Sequence, residues 1–302
     1  MQPTITRASW AMIVALGLVW GGTFMVMELA LRGISPIWLA FARLGFAALL
    51  LTTVWQWRGG QLWLSEDRPW HMLLLAGLLS AALPFMLLSW GLQFVTSGFA
   101  GVSMAAIPLI VLPLAHFFLV GERMSLRRSI GFVTGFAGVF ILIGGPAVFE
   151  ASGANGETWG RLACVSAAIC YGVNSIITRR LPPIDPVGLS ASLMLIGGAI
   201  LLPLALWKEG IPSSISLETF GYLALLGLVP TAAANLLRVL VIRSAGSTFM
   251  SLTNYMVPVW SIFLGAWLLD EALPDGILTS LALILGGVLV SQLGALRRMF
   301  SR

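Results

Sequence analysis

Only a few side chains in this largely apolar chain are equipped for chemistry. Glu28 and Arg43 are opposite charges set in two consecutive apolar runs. Ionisable groups in such runs are expensive and tend to be functional. On adjacent helices at similar depth the two could pair. They would then form a gate or substrate-charge contact, or a structural ion pair joining the helices. Glu28 also precedes Arg32 by four residues, a favourable helical spacing. His116 carries an imidazole, which titrates near neutral pH. It and Glu28 are the two candidates for proton coupling, and the other reading of His116 is a neutral ring hydrogen-bonded across helices. Asn174, Asn235 and Asn254, with Thr23, Ser89, Ser103 and Thr253, place amides and hydroxyls on apolar runs. An Asn side chain can donate to a carboxylate and accept from an ammonium, and a zwitterion needs both. The same residues serve as glue between membrane helices. Trp20, Tyr171, Tyr255 and Trp260 fall in mid-run, where aromatics either wall a cavity and stack on an aromatic or cationic ligand or simply pack. Met25, Met86, Met104, Met194 and Met256 could supply an adaptable wall.

Other chemistries lack their residues. No Gly-Lys-Ser or Gly-Lys-Thr occurs, which argues against ATP coupling within the chain. No Cys/His cluster has metal-ligand spacing, so no metal and no cofactor is expected. No pair of carboxylates falls within a span, which weakens acid/base enzymology and strong ion-coupled pumping. Cys164 and Cys170 are six residues apart on one run. On a helix they are about 9 Å apart along the axis and cannot bridge.

The elements that must position these residues are membrane spans. Of the 302 residues 58% are hydrophobic and 10% charged, and the mean hydropathy is +0.96; a soluble domain carries roughly 25% charged residues. Ten segments meet the requirement of about 20 apolar residues: 10–31, 36–57, 70–94, 98–120, 126–145, 158–178, 186–207, 217–242, 246–269 and 276–296. The first is longer than a signal-peptide core and lacks a convincing small-residue cleavage site, so it is read as a retained helix. Positive charge sets the orientation. One set of gaps and termini holds Arg7, Arg58, Arg68, Arg123, Arg127, Arg128, Arg179, Arg180, Arg238, Arg243, Arg297, Arg298 and Arg302. The opposite set holds only Arg32, Arg161 and Lys208. Both termini are therefore expected in the cytoplasm of a multi-pass inner (plasma) membrane protein. Trp10, Trp55, Trp57, Trp63 and Trp70 fall at the inner boundary, and Trp38, Trp159, Trp207 and Trp267 at the outer one, as interfacial belts do. The net charge of +5 is accounted for by topology, and no basic patch interleaved with aromatics suggests nucleic acid.

The chain repeats weakly. Trp20-Gly21 matches Tyr171-Gly172, Ser35-Pro36 matches Asp185-Pro186, and Pro84 loosely matches Pro230. Pro108 matches Pro258, Gly121-Glu122 matches Asp270-Glu271, and Gly138 matches Gly287. Five spans per half force the second half to enter from the opposite side, giving an inverted repeat with its site near the midplane. The halves are 1–145 and 158–302, joined by a linker at 146–157. Pro84, Pro108, Pro113, Pro230 and Pro258 remove backbone hydrogen bonds within spans, which predicts bends in spans 3, 4, 8 and 9. Gly131-x-x-x-Gly135 and Gly286-Gly287 permit close approach and mark spans 5 and 10 as peripheral supports or a homodimer contact; a monomer is the alternative.

Trp20-Gly21-Gly22-Thr23-Phe24, Phe41-Ala42-Arg43-Leu44, and Ser103 to Leu109 with Gly121-Glu122-Arg123-Met124-Ser125 resemble the motifs of EamA-type transporters of the drug/metabolite transporter superfamily. The last of these recurs as Met256-Val257-Pro258 with Asp270-Glu271-Ala272-Leu273-Pro274. The resemblance covers essentially the whole chain. It implies an all-α membrane protein of ten helices around a central cavity, alternating access, and export or exchange of small metabolites; bacterial amino-acid exporters of the YddG type belong to this group. Amino acids, aromatic ones included, are the expected cargo. Spans 1, 3, 4, 6, 8 and 9 would wall the cavity, with Trp20, Thr23, Glu28, Arg43, Ser89, Ser103, Tyr171, Asn174, Asn235, Asn254, Tyr255 and Trp260 as lining candidates. A cationic-drug exporter using Glu28 and the aromatics is the runner-up. An intramembrane lipid-modifying enzyme is a third reading, which lacks a nucleophile or carboxylate pair.

Overall fold

The computed structural model describes residues 5–300 except 120–121, 146–155 and 213, so Gly121 and all of the expected linker but its last two residues lie outside the described residues. Ten helices account for the architecture: α1 Arg7–Leu31, α2 Pro36–Trp57, α3 Trp70–Gly91, α4 Ser97–Phe118, α5 Leu126–Ile143, α6 Gly156–Arg180, α7 Pro186–Lys208 and α8 Leu217–Ala245, then α9 in two pieces, Ser247–Met250 and Thr253–Leu268, and α10 Ile277–Phe300. Nine are long and apolar enough to cross a membrane, by length and composition, among the described residues. The tenth span, α9, is interrupted at residues 251–252, ahead of Pro258.

The starts follow from local chemistry. Side chains of Thr6, Thr96, Ser125, Asp185 and Ser216 each accept a bond from a first-turn amide of the helix they precede, supplying a partner the helix itself cannot. Proline occupies the first turn of α2 and α7, where its missing N–H costs nothing.

The four expected bends take specific forms. In α3 a π-helical turn at Leu78–Ala82 precedes Pro84, and in α8 one at Gly227–Ala233 contains Pro230. Proline frees the carbonyl four residues earlier, and a wider turn accommodates it. In α4 the helix is interrupted between Met104 and Ile107, just before Pro108.

Close approaches of helices recur at a fixed offset. Gly77 of α3 packs on Ile196 of α7, and Gly227 of α8 packs on Phe46 of α2. Gly77 and Gly227 lie 150 positions apart, as do Phe46 and Ile196. Gly21 packs on Trp260 and Val257, while Gly172 packs on Ile110 and Ile107; the partners are again 150 positions apart. At each of these glycines a side chain would overlap its neighbour. The glycine faces of α5 and α10 are turned on each other within the chain: a Cβ on Gly131 would overlap the Gly287 carbonyl, and one on Gly138 would come within 2.9 Å of Ile284, Leu283 and the Ser280 carbonyl.

The bundle has an arginine-rich end and a charge-poor end. At the arginine-rich end the α2–α3 gap pairs with the α6–α7 gap: Leu64 N–H donates to Pro183 (3.0 Å) and Asp185 N–H to Leu62 (2.9 Å). Trp57, Trp70, Trp159, Trp207 and Trp267 are exposed as a belt requires. Trp63 is a correction: it is buried, edge-on to Trp70 at 5.5 Å, because the paired gaps fold it inward.

Candidate functional site

Arg43 is the centre of the candidate site. It lies seven residues into α2, about 10 Å below the charge-poor end of the helix, and only 7% of its surface is exposed. Its Nε donates to the Thr231 hydroxyl at 2.8 Å, a guanidinium nitrogen meets Met27 Sδ at 3.2 Å, and the group lies 4.2 Å over the Phe85 ring. Tyr171 of α6 is within electrostatic reach. Among the described residues no carboxylate pairs with it. The expected Glu28–Arg43 pair is therefore not formed. Met27, one position away and rotated by about 100° on the helix, faces Arg43 instead, while Glu28 turns to Arg32 at 3.7 Å, as their spacing suggests.

The broken turn of α8 is held by side chains. Pro230 leaves the Leu226 carbonyl without its helical donor, and the Thr231 hydroxyl supplies one at 2.8 Å. Trp20 N–H donates to the Pro230 carbonyl at 2.9 Å, and the Asn235 amide to the Thr231 carbonyl at 2.5 Å. Trp20 in mid-membrane is thereby explained, since a buried indole N–H needs an acceptor. One polar cluster thus joins α1, α2 and α8 at the depth of Arg43. Met27, Phe85 and Thr231 were missed from sequence; only the Pro230-Thr231 step, a hydroxyl next to a helix break, could have pointed to the last.

The other candidates scatter around this centre. Thr23, Ser89 and Ser103 are buried. Thr23 and Ser103 donate to carbonyls of their own helices at 2.9 and 3.0 Å, whereas Ser89 and the Tyr255 hydroxyl have no hydrogen-bond partner among the described residues. Asn174 accepts from Thr178 at 3.4 Å and Asn235 from Arg238 at 3.5 Å. Asn254 and Trp260 are half-buried on α9, and Trp260 packs on Gly21 and edge-on to Phe263. His116 is exposed at the arginine-rich end of α4, where Nδ1 accepts from the Met124 N–H at 3.3 Å. That position is remote from Arg43, so His116→Gln is expected to leave the pH profile of transport unchanged within about twofold, as surface substitutions away from special features do. Flux measured across a pH series checks it. Two apolar grooves, about 500 Å³ between α9 and α10 and about 450 Å³ between α3 and α7, are lined by none of the candidates.

The Arg43 guanidinium is enclosed by apolar walls, with no acid beside it among the described residues. Arginine offers a planar fork matched to carboxylate or phosphate. Known proteins set this geometry in context. The EamA-like transporter family matches residues 8–144 and again 158–293. The chain belongs to this family. The two matches fall on α1–α5 and α6–α10, in step with the recurring glycine contacts. The uncharacterized transporter YoaV of Bacillus subtilis is 24% identical over 289 residues, 95% of this chain and 97% of its own length. The uncharacterized inner membrane transporter YedA of Escherichia coli K12 is 27% identical, covering 93% of this chain and 89% of its own length. A crystal structure at 21% identity shares the fold, with a TM-score of 0.66 over 96% of this chain and 99% of that one. The chain is accordingly a multi-pass membrane transporter and not an enzyme.

Proposed function

We propose that the protein carries small amphipathic metabolites bearing a carboxylate, amino acids foremost and aromatic ones among them, by alternating access across the inner membrane. Arg43 carries this reading. An unpaired buried charge is costly, and a substrate carboxylate would relieve that cost only when bound. Phe85, Tyr171 and Trp20 near it suit an aromatic or aliphatic side chain. The arginine-rich end faces the cytoplasm in this reading, which puts both termini there. The cationic-drug reading would use Glu28, but this carboxylate pairs with Arg32 at the charge-poor end.

The test is counterflow in proteoliposomes with radiolabelled amino acids, their amides and an organic cation. Accumulation of free amino acids with loss for the amides is expected. Uptake of the cation alone would overturn the reading. Cysteines placed at 33 and at 182 should label from opposite sides of the membrane; labelling from one side would remove the inverted arrangement and the orientation together.

A further inference from the structure

Glu271 follows α9 at the charge-poor end and grips the start of α4. Its oxygens accept from Ser97 N–H at 3.0 Å and Gly98 N–H at 3.2 Å. The same seam is closed by the Ser261 hydroxyl donating to the Ser97 carbonyl at 2.8 Å and by Gly98 against Ile262. Glu28, from α1, lies within hydrogen-bond reach of Glu271. Among the described residues Glu28 Oε2 is buried with no hydrogen-bond partner, and so is the hydroxyl of Ser97, which is fully buried. A Cβ on Gly265 would stand 2.5 Å from Glu271 Oε2 and 2.7 Å from Ser97 Oγ, so carboxylate and hydroxyl face one spot that only glycine leaves open. Two ionised carboxylates this close only accept and repel each other, and one proton between them would relieve both.

The repeat-related carboxylate is in the opposite condition. Glu122, the counterpart of Glu271, sits at the arginine-rich end on Arg128 at 3.1 Å and Arg179 at 3.8 Å. Among the described residues the start of α4 packs on α9, but the start of α9 makes no comparable packing with Ile107–Phe118 of α4. One end is latched and the other is apart.

We propose that Glu271, hooked on the start of α4 and sharing one proton with Glu28, is the latch that closes the outer end of the transport path, and that loss of this proton releases it. The inference rests on the alternating-access reading and adds its gate and its coupling ion. Burial alone would raise the Glu271 carboxyl, but hydrogen bonds from Glu28, Ser97 and Gly98 outweigh it and hold it below the usual carboxylate range, consistent with a charged oxygen on the amides. The closed state binds the proton more tightly than the open one, so raising the pH favours opening. The charged and titratable groups facing the pair are few. Arg32 of α1 pairs with Glu28. Tyr222 and Glu218 of α8 bond to each other at 2.7 Å beside Arg32. Arg43 of α2 is held by Thr231, and Asp270 is exposed. The described parts of α4, α9 and α10 add no charged group at this end, while α6, packed on the start of α4, brings Arg161 to 5.7 Å over the Phe99 ring, paired with Glu157.

The test uses the full chain in nanodiscs, where both ends are open to reagent and orientation drops out. Cys164 and Cys170 are replaced by alanine, and Ile262→Cys reports the seam. Maleimide labelling is normalised at each pH to the denatured protein. Slow labelling at acid pH, rising about tenfold or more toward alkaline pH, is expected. Glu28→Gln, whose amide donates to Glu271 without a titrating proton, should keep labelling slow at every pH. Glu271→Ala should label rapidly throughout, the loss of charge-assisted bonds being worth about tenfold or more. Gly265→Ala, which displaces Glu271 without changing its charge, should do the same. Melting curves identify any variant that fails to fold, and Glu28→Gln supplies the reading in that case. Equal labelling in all variants, or a pH dependence that persists in Glu28→Gln, overturns the latch. Neither result depends on which substrate is carried, so a failure here is distinct from failure of the counterflow panel.

Discussion

Replacing Arg43 with methionine is expected to abolish counterflow of a carboxylate-bearing substrate and to raise the thermal stability of the empty protein. The two effects share one cause. In the substrate-free structure the guanidinium is 7% exposed and touches a hydroxyl, a thioether and a ring face, but no acid. Desolvating a charge with no counter-charge costs several kcal/mol even after relaxation, and an apolar group of similar size removes that cost. Met27 and Phe85 already provide an apolar surrounding, and Thr231 keeps its bond to the Leu226 carbonyl. Binding responds in the other direction. Truncating one partner of a buried, hydrogen-bonded charge pair costs about 2–5 kcal/mol, and each 1.4 kcal/mol is roughly tenfold. The loss therefore spans roughly thirtyfold to several-thousandfold, beyond detection at the upper end. Arg43→Lys keeps the charge but loses the planar fork, and an intermediate KM is expected. Counterflow kinetics and a melting curve on the same preparation check both halves. A methionine variant that melts earlier, or that still moves amino acids normally, would make Arg43 a structural pin.

Much of the fold could be read in the sequence because membrane spans are set by length and apolarity alone. Nine spans appear as helical segments long and apolar enough to cross among the described residues, and the tenth, α9, comes in two pieces that part at residues 251–252. The prolines lie beside the π-turns and interruptions of α3, α4, α8 and α9, since a missing N–H is a local property. What they did not reveal was how each break is healed: Thr231 capping the Leu226 carbonyl and Trp20 reaching the Pro230 carbonyl involve helices distant in sequence. Pairing of charges failed for the same reason. Depth along two helices placed Glu28 near Arg43, but the angle around α1 decides which residue faces α2, and Met27 does. No carboxylate pair was visible in the sequence, although Glu28 lies within hydrogen-bond reach of Glu271; they are in different halves, and only the packing of α1 on α9 brings them together. Glu271 and Glu122 are equivalent in sequence but differ in surroundings, and a symmetric repeat reports a state only where its structure is not symmetric.

Gly286 and Gly287 look interchangeable in the sequence, yet alanine is expected to be harmless at the first and severe at the second. A Cβ on Gly286 meets nothing within 4 Å. Alanine there is expected to match or slightly exceed the wild-type melting temperature, glycine being the poorer helix former by about 1 kcal/mol. A Cβ on Gly287 would overlap the Gly131 carbonyl and come within 2.5 Å of the Gly135 nitrogen and 2.7 Å of its Cα. All of these are backbone atoms of α5 and cannot turn aside as a side chain would. Relief requires α5 and α10 to part, which also loosens the packing of Ser291 on Gly131 and of Ile284 on Gly138. Overpacking of a well-filled interface costs about 1–3 kcal/mol and sometimes more. The rigid obstacle places Gly287→Ala at the upper end, and Gly287→Leu beyond what the bundle tolerates. For a chain of this size about 3 kcal/mol corresponds to a fall of roughly 6–12 °C. Parallel melting curves of the two alanine variants decide the matter. Equal melting temperatures would mean that α5 and α10 do not meet along this face.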